Sequence, residues 1–125
     1  MSTQNTILIV EDEHDLQDAL ASALGYEDFT IIQAYDGEEG LQKAKDESPA
    51  LILLDISLPK IDGLEVLRTL KKTEWGKDIK VIIMTALDDF EKMAEVMDAG
   101  GDEYVVKTQI SLSDLVQKIN AKLGK

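Results

Sequence analysis

No cysteine occurs among the 125 residues, so disulfide frameworks, thiolate metal sites and cysteine nucleophiles are excluded together. Histidine occurs once, as His14, which leaves no pair of imidazoles to hold a transition metal. Basic residues are scarce, 13 against 25 acidic ones, for a formal charge of -12. Phosphate contacts need clusters of Lys and Arg, so direct binding to nucleic acid or to an anionic membrane is not expected; an acidic chain meets cations or proteins instead. No apolar run approaches the ~20 residues that span a bilayer, and the first residues show no secretory pattern. These absences make a cytoplasmic protein the expectation. The two prolines, Pro49 and Pro59, both lie between periodic segments, and no repeat, low-complexity tract or linker is visible. The length suits one domain, and the whole chain is expected to form it, with a core over about 6–123.

What is present is a set of short apolar runs. Ile7 to Val10, Phe29 to Ala34, Leu51 to Leu54, Lys80 to Met84 and Tyr104 to Val106 are mostly continuous and β-branched, as strands buried on both faces are. Helical spacing fills the intervals. Leu16, Ala19, Leu20, Ala23 and Leu24 form one stripe on a helix that Gly25 can end. Asp62 is placed to cap a helix carrying Leu64, Leu67 and Leu70. Phe90, Met93, Ala94 and Met97 line another helix, which stops at Gly100 and Gly101. Leu112, Leu115, Val116, Ile119 and Leu123 line the last, where Ser111 and Asp114 resemble a capping box. The weakest segment is Glu38 to Lys45, with only Leu41 and Ala44 to face inward and Gly40 lowering its propensity. Five strands alternating with five helices give a (βα)₅ order, and right-handed crossovers make that an α/β doubly wound parallel sheet with helices on both faces. Periodicity does not reveal the strand order.

Polar residues sit where the apolar runs stop: Glu11 and Asp12 after the first, Asp55 after the third, Thr85 after the fourth, Lys107 after the fifth. Ligand sites in open α/β sheets lie outside the carboxyl ends of the strands, so these five side chains would share a crevice. Taken singly, each has an ordinary explanation: acids at a helix N-terminus, a turn aspartate, a residue starting the next helix, a solvated lysine. The conjunction has chemistry of its own. Three converging carboxylates repel one another unless a cation intervenes, and oxygen-only ligands with room for water and phosphate suit Mg²⁺. Asp55 beside such an ion can accept a phosphoryl group as an acyl phosphate, with Lys107 and Thr85 facing the phosphoryl oxygens.

From Ile7 to about Leu123 the chain resembles a response-regulator receiver domain of bacterial two-component signalling, the family of the chemotaxis response regulator. The resemblance is carried by Ile7-Leu8-Ile9-Val10-Glu11-Asp12-Glu13, by Leu53-Leu54-Asp55 with Leu58-Pro59-Lys60-Ile61-Asp62-Gly63, by Met84-Thr85-Ala86, and by Tyr104 and Lys107. It implies a flavodoxin-like fold with strand order 2-1-3-4-5, the order of the chemotaxis regulator. It also implies Glu11, Asp12 and Asp55 as Mg²⁺ ligands together with the backbone carbonyl of Ser57, Asp55 as phosphoacceptor, and Thr85 with Tyr104 as the switch pair. The implied partners are a sensor histidine kinase or histidine phosphotransfer protein and a downstream protein target.

Two departures carry consequences. The family usually has proline after its lysine, through a cis peptide; Thr108 stands there, so either bond geometry is open, and Lys107 is expected to reach the site nonetheless. The positions that set acyl-phosphate lifetime in the family correspond to Ser57 and Leu87, neither of which offers a carboxylate or amide to orient an attacking water, so self-dephosphorylation slower than in the chemotaxis regulators is expected. The chain ends shortly after its last helix, and no output domain is expected; a stand-alone protein and a fragment, a monomer and a dimer, all remain open. Two rivals share the features: a phosphorylation-independent scaffold of the same fold, and a haloacid-dehalogenase-type phosphatase, which usually carries a second aspartate where Ser57 stands. The leading expectation is a signalling module and not a multiple-turnover enzyme. His14 is expected to be exposed and not a metal ligand, and Trp75 to cover a loop.

Overall fold

The computed structural model describes residues 5–86 and 90–125. Five strands and five helices alternate: β1 (Thr6–Val10), α1 (His14–Gly25), β2 (Thr30–Ala34), α2 (Gly37–Glu47), β3 (Leu51–Asp55), α3 (Gly63–Lys71), β4 (Lys80–Thr85), α4 (Phe90–Asp98), β5 (Glu103–Val106) and α5 (Leu112–Lys122). The strands form one parallel sheet in the order β2-β1-β3-β4-β5. This is the expected doubly wound arrangement, including its strand order.

Side chains alternate across the sheet and divide the core in two. Leu8, Val10, Ile52, Leu54, Val81 and Ile83 pack with Leu64, Leu67 and Leu70 of α3 and Val96 of α4. Ile7, Ile9, Leu51, Leu53, Ile82 and Met84 pack with Leu20 and Leu24 of α1 and Leu115 and Ile119 of α5. Burying one such Leu or Ile contributes roughly 1.5–3 kcal/mol, so the three central strands carry most of the stabilisation. The edge strands differ: β2 is only partly buried, and it begins at Thr30, after the buried Phe29.

The helix faces correct the sequence reading in three places. In α1 the buried stripe is Gln17, Leu20 and Leu24, whereas Ala19, assigned to that stripe, is exposed. Among the described side chains of α4 Val96 is buried, while Ala94 and Met97 are exposed, Met97 by 49%; the side chain of Phe90, assigned to the stripe, lies outside the described residues. The apolar residues of this short helix form one broad arc with Val96 at one edge and Ala94 at the other, so helical spacing alone left open which edge turns inward. Gly101 decides: its amide donates to Val96 O at 2.9 Å, and a Cβ on Gly101 would lie 2.6 Å from a Val96 methyl. In α5 Leu112, assigned to the inner stripe, is 47% exposed. The segment expected to be weakest, α2, is longer than its apolar pattern indicated. Asp36 caps it by accepting from the Glu39 amide at 2.8 Å, and Glu39 accepts in return from the Tyr35 amide at 2.6 Å. Gly40, a liability by propensity, lets α2 lie on β1, since a Cβ there would sit 2.9 Å from the Val10 methyls. Asp62 and Ser111 cap α3 and α5 as expected. Trp75 packs half-buried over the α3–β4 connection.

Candidate functional site

Parallel strands bring their carboxyl ends to one edge, and every singled-out strand-end residue lies there. Glu11 and Asp12 follow β1, Asp55 and Thr85 are the last residues of β3 and β4, and Lys107 follows β5. The sheet places β3 between β1 and β4, so Asp55 is flanked by the acidic pair on one side and Thr85 on the other.

Glu11, Asp12 and Asp55 each offer a carboxylate oxygen, all within 4.8 Å of one another. Glu11 and Asp55 are buried, 1% and 4% exposed, while Asp12 is exposed and leaves one side of the cluster open to solvent. Lys107 donates from Nζ to Asp55 Oδ2 at 3.1 Å and forms a short ion pair with Glu11 Oε1. The other Asp55 oxygen accepts from the Ser57 amide at 3.0 Å, and Glu11 Oε2 accepts from the Glu13 amide at 3.1 Å. Among the described residues no peptide bond is cis, so Lys107–Thr108 is trans, and the Lys107 side chain reaches both carboxylates in that geometry. Its amide donates to Thr85 O at 2.7 Å, which ties the end of β5 to that of β4.

Burial pushes the Glu11 carboxyl up to about 7 despite the opposing pull of Lys107 and the Glu13 amide, and the neighbouring Asp55 charge pushes the same way. Burial works against the charge on Lys107, but its bonds to Glu11 and Asp55 outweigh that effect and hold the ammonium above its ordinary pKa. One ammonium faces three carboxylates, a deficit of positive charge that a hard cation would complete. The donor set is oxygen only, and its open side at Asp12 leaves room for water, which fits Mg²⁺.

Thr85 is buried, 4% exposed, and Tyr104, half-buried on β5, pairs with Ile83 and packs against the α3–α4 side of the core. Ser57 is exposed, and its amide contacts Asp55. Leu87 lies outside the described residues. His14 is exposed and stacks on Tyr35, ring centroids 4.3 Å apart. The loop after Asp55 is held by Gly63, where a Cβ would lie 2.2 Å from Asp55 O.

One residue close to the site escaped the sequence reading. Gln17 is fully buried, and its side-chain nitrogen reaches Ile9 O at 2.9 Å, Ala34 O at 2.6 Å and Glu11 O at 3.3 Å. Its signal was a polar residue in register with Leu20 and Leu24, at i+3 and i+7.

A family model for the response regulator receiver domain matches residues 7–120. Response regulator MprA of Mycobacterium ulcerans (strain Agy99) is 33% identical over 117 residues, covering 94% of this chain and 49% of the relative. The chain thus spans about half the length of the curated relatives it matches. A CheY-like response regulator receiver domain protein from Methanospirillum hungatei JF-1 superposes with a TM-score of 0.89 at 32% identity, over 96% of this chain and 94% of that one. The receiver domain of sensor histidine kinase PA1611 from Pseudomonas aeruginosa PAO1, solved with a magnesium ion coordinated in its active site cleft, shares the fold with a TM-score of 0.88 at 24% identity, over 97% and 98% of the two chains.

Proposed function

Because the chain belongs to the response regulator receiver domain family of two-component systems, we propose that it takes a phosphoryl group from a histidine of a sensor kinase or phosphotransfer protein onto Asp55. The supporting observation is the convergence at one sheet edge of Glu11, Asp12 and Asp55 with Lys107, whose ammonium lies 3.1 Å from the proposed nucleophile. A carboxylate oxygen of Asp55 attacks phosphorus, the P–N bond to the donor imidazole breaks, and its electron pair stays on the ring nitrogen. The product is an acyl phosphate.

Lys107 stands ready to follow the charge, moving its donors from carboxylate to phosphoryl oxygen, while the Thr85 hydroxyl donates to another. Glu11, Asp12 and Asp55, with the Ser57 carbonyl by family resemblance, would hold Mg²⁺, which supplies divalent charge against the phosphoryl oxygens. Thr85 and Tyr104 face the same side of the sheet, and a shift of Thr85 toward the phosphoryl group opens space for the Tyr104 ring. Tyr104 lines a cleft of about 660 Å³ with Met93, Val106 and Lys118, so its movement would reshape the face formed by α4, β5 and α5 for a downstream protein target. Neither Ser57 nor Leu87 offers a carboxylate or amide to orient a hydrolytic water, so the acyl phosphate is long-lived and the protein acts as a switch, not as a multiple-turnover enzyme. Such a kinase or phosphotransfer donor would meet it in the cytoplasm, and among the described residues no helix is long and apolar enough to cross a membrane. Ser57, where the dehalogenase-type phosphatases usually have a second aspartate, speaks against that rival.

Incubation with acetyl phosphate and Mg²⁺ followed by intact mass tests the reading. One added phosphoryl group is expected, lost on chelation of the metal beforehand and lost in Asp55→Asn, with a change in Trp75 fluorescence in the parent alone. An unmodified parent would refute it in favour of a phosphorylation-independent scaffold.

A further inference from the structure

Gln17 sits one turn into α1, where a polar side chain has no surface to reach: it is 0% exposed, among Ile9, Leu20 and Leu24 of the same interior. A buried primary amide must find partners for two N–H groups and a carbonyl oxygen, or lose the free energy of its desolvation. Its nitrogen meets three backbone carbonyls from three places in the chain: Ile9 within β1, Glu11 just past the end of β1, and Ala34 at the end of β2. Its oxygen accepts from Gln33 Nε2 at 3.3 Å, so the amide orientation is set from both sides. The same Ala34 oxygen also accepts from the Glu11 amide at 3.1 Å. The backbone of residue 11 is therefore held at its N–H through Ala34 and at its C=O through Gln17, at the point where strand becomes acidic loop.

We propose that Gln17 is the positioning residue of the metal-binding loop, fixing the Glu11 backbone so that the carboxylate points at Asp12 and Asp55. The role rests on the reading of that cluster as a Mg²⁺ site. With the backbone of residue 11 pinned, only the side-chain torsions of Glu11 remain free, and the Glu13 amide and Lys107 take up the two carboxylate oxygens. Removing the clamp lets the loop move relative to Asp55, which the neighbouring strand holds independently. A metal site then loses affinity because its ligands no longer share one preformed arrangement.

The competing role is plain packing of α1 on the sheet, and two readouts separate them. Gln17→Met keeps a similar shape and removes both donors; Leu24→Val perturbs the same buried stripe of α1 two turns away and touches no loop carbonyl. Hydrogen exchange of the Glu13 amide reports the direction of the Glu11 carboxylate without metal, and calorimetric titration with Mg²⁺ alone reports affinity. In Gln17→Met the Glu13 amide is expected to exchange at least tenfold faster and Mg²⁺ to bind about tenfold more weakly, while Leu24→Val stays within twofold of the parent on both despite a lower Tm. Parent behaviour in Gln17→Met, or an equal loss in Leu24→Val, overturns the proposal. Gln33→Leu, which removes only the bond to the Gln17 oxygen, decides the matter if Gln17→Met does not fold: a loss of twofold or more supports the clamp and parent affinity refutes it. A parent that binds no Mg²⁺ at all removes the reading of the site, and the Glu13 amide comparison still decides the positioning role.

Discussion

Replacing Glu11 with glutamine should change how stability depends on pH in the metal-free protein. The Glu11 carboxyl is 1% exposed, and burial raises its pKa from an ordinary 4.5 to about 7. Between those two values the folded protein holds a proton that the unfolded chain has released, so stability falls as pH rises through the window. At 1.36 kcal/mol for each pH unit the full difference is roughly 3 kcal/mol. Solvent reaches the cluster past exposed Asp12 and screens it, so about 1–2 kcal/mol should be lost between pH 5 and pH 8. Glutamine carries no titrating proton, and its profile should be flatter than the parent's by that amount. The offset is less informative than the slope, because glutamine offers one acceptor oxygen where Glu11 uses two, toward Lys107 and the Glu13 amide, and the lost bond costs about 1 kcal/mol at every pH. Urea denaturation in the presence of chelator at half-unit intervals of pH, on both proteins, gives the difference directly. Added Mg²⁺ should stabilise the parent at pH 8, where its carboxylate is free to bind, and stabilise Glu11→Gln much less. Equal slopes for the two proteins, or a parent whose stability rises relative to the variant from pH 5 to pH 7, would refute the assignment of a buried, proton-retaining Glu11.

Two further outcomes follow from single contacts. Gly63→Ala places a Cβ 2.2 Å from Asp55 O and 2.6 Å from Ile56 Cα, both backbone atoms that cannot swing aside, and should cost about 2–4 kcal/mol in urea denaturation; a loss under about 0.5 kcal/mol would contradict the tight packing of the Asp55 loop. Ser57→Asn supplies a side-chain amide beside Asp55 and should accelerate decay of the acyl phosphate several-fold, measured by loss of the phosphorylated mass after removal of acetyl phosphate with Mg²⁺ retained; an unchanged half-life would remove Ser57 from the control of lifetime.

Much of the site was legible because its logic is one-dimensional. A carboxylate, hydroxyl or ammonium at the end of an apolar run must emerge at the carboxyl edge if the runs are parallel strands, and Glu11, Asp12, Asp55, Thr85 and Lys107 all do. Lys107 illustrates the limit. The missing proline left its peptide geometry open, and contacts formed by distant segments, the Thr85 carbonyl and two carboxylates, show a trans bond compatible with reach. Gln17 was hidden because a single glutamine in an amphipathic pattern is usually a surface residue; three carbonyls from two strands and a loop make it an interior one. The faces of α1 and α4 were misjudged for a related reason. Ala19, Ala94 and Met97 satisfy helical spacing as well as the residues that are buried, and only contacts such as Val96 with Gly101 choose between faces.

The sequence by itself determined the alternation of strands and helices, the acidic charge that points to cations and protein partners, and the list of residues at the reacting edge. Those features depend on local periodicity and on residue chemistry, which the chain carries at every position. Tertiary structure decided what depends on distance between segments: which carboxylates lie within 4.8 Å of one another, that a single ammonium bridges Glu11 and Asp55, and that burial raises the Glu11 carboxyl above its ordinary range. Desolvation and Coulomb attraction arise only after residues far apart in the chain are packed together, here Glu11 and Lys107, 96 positions apart.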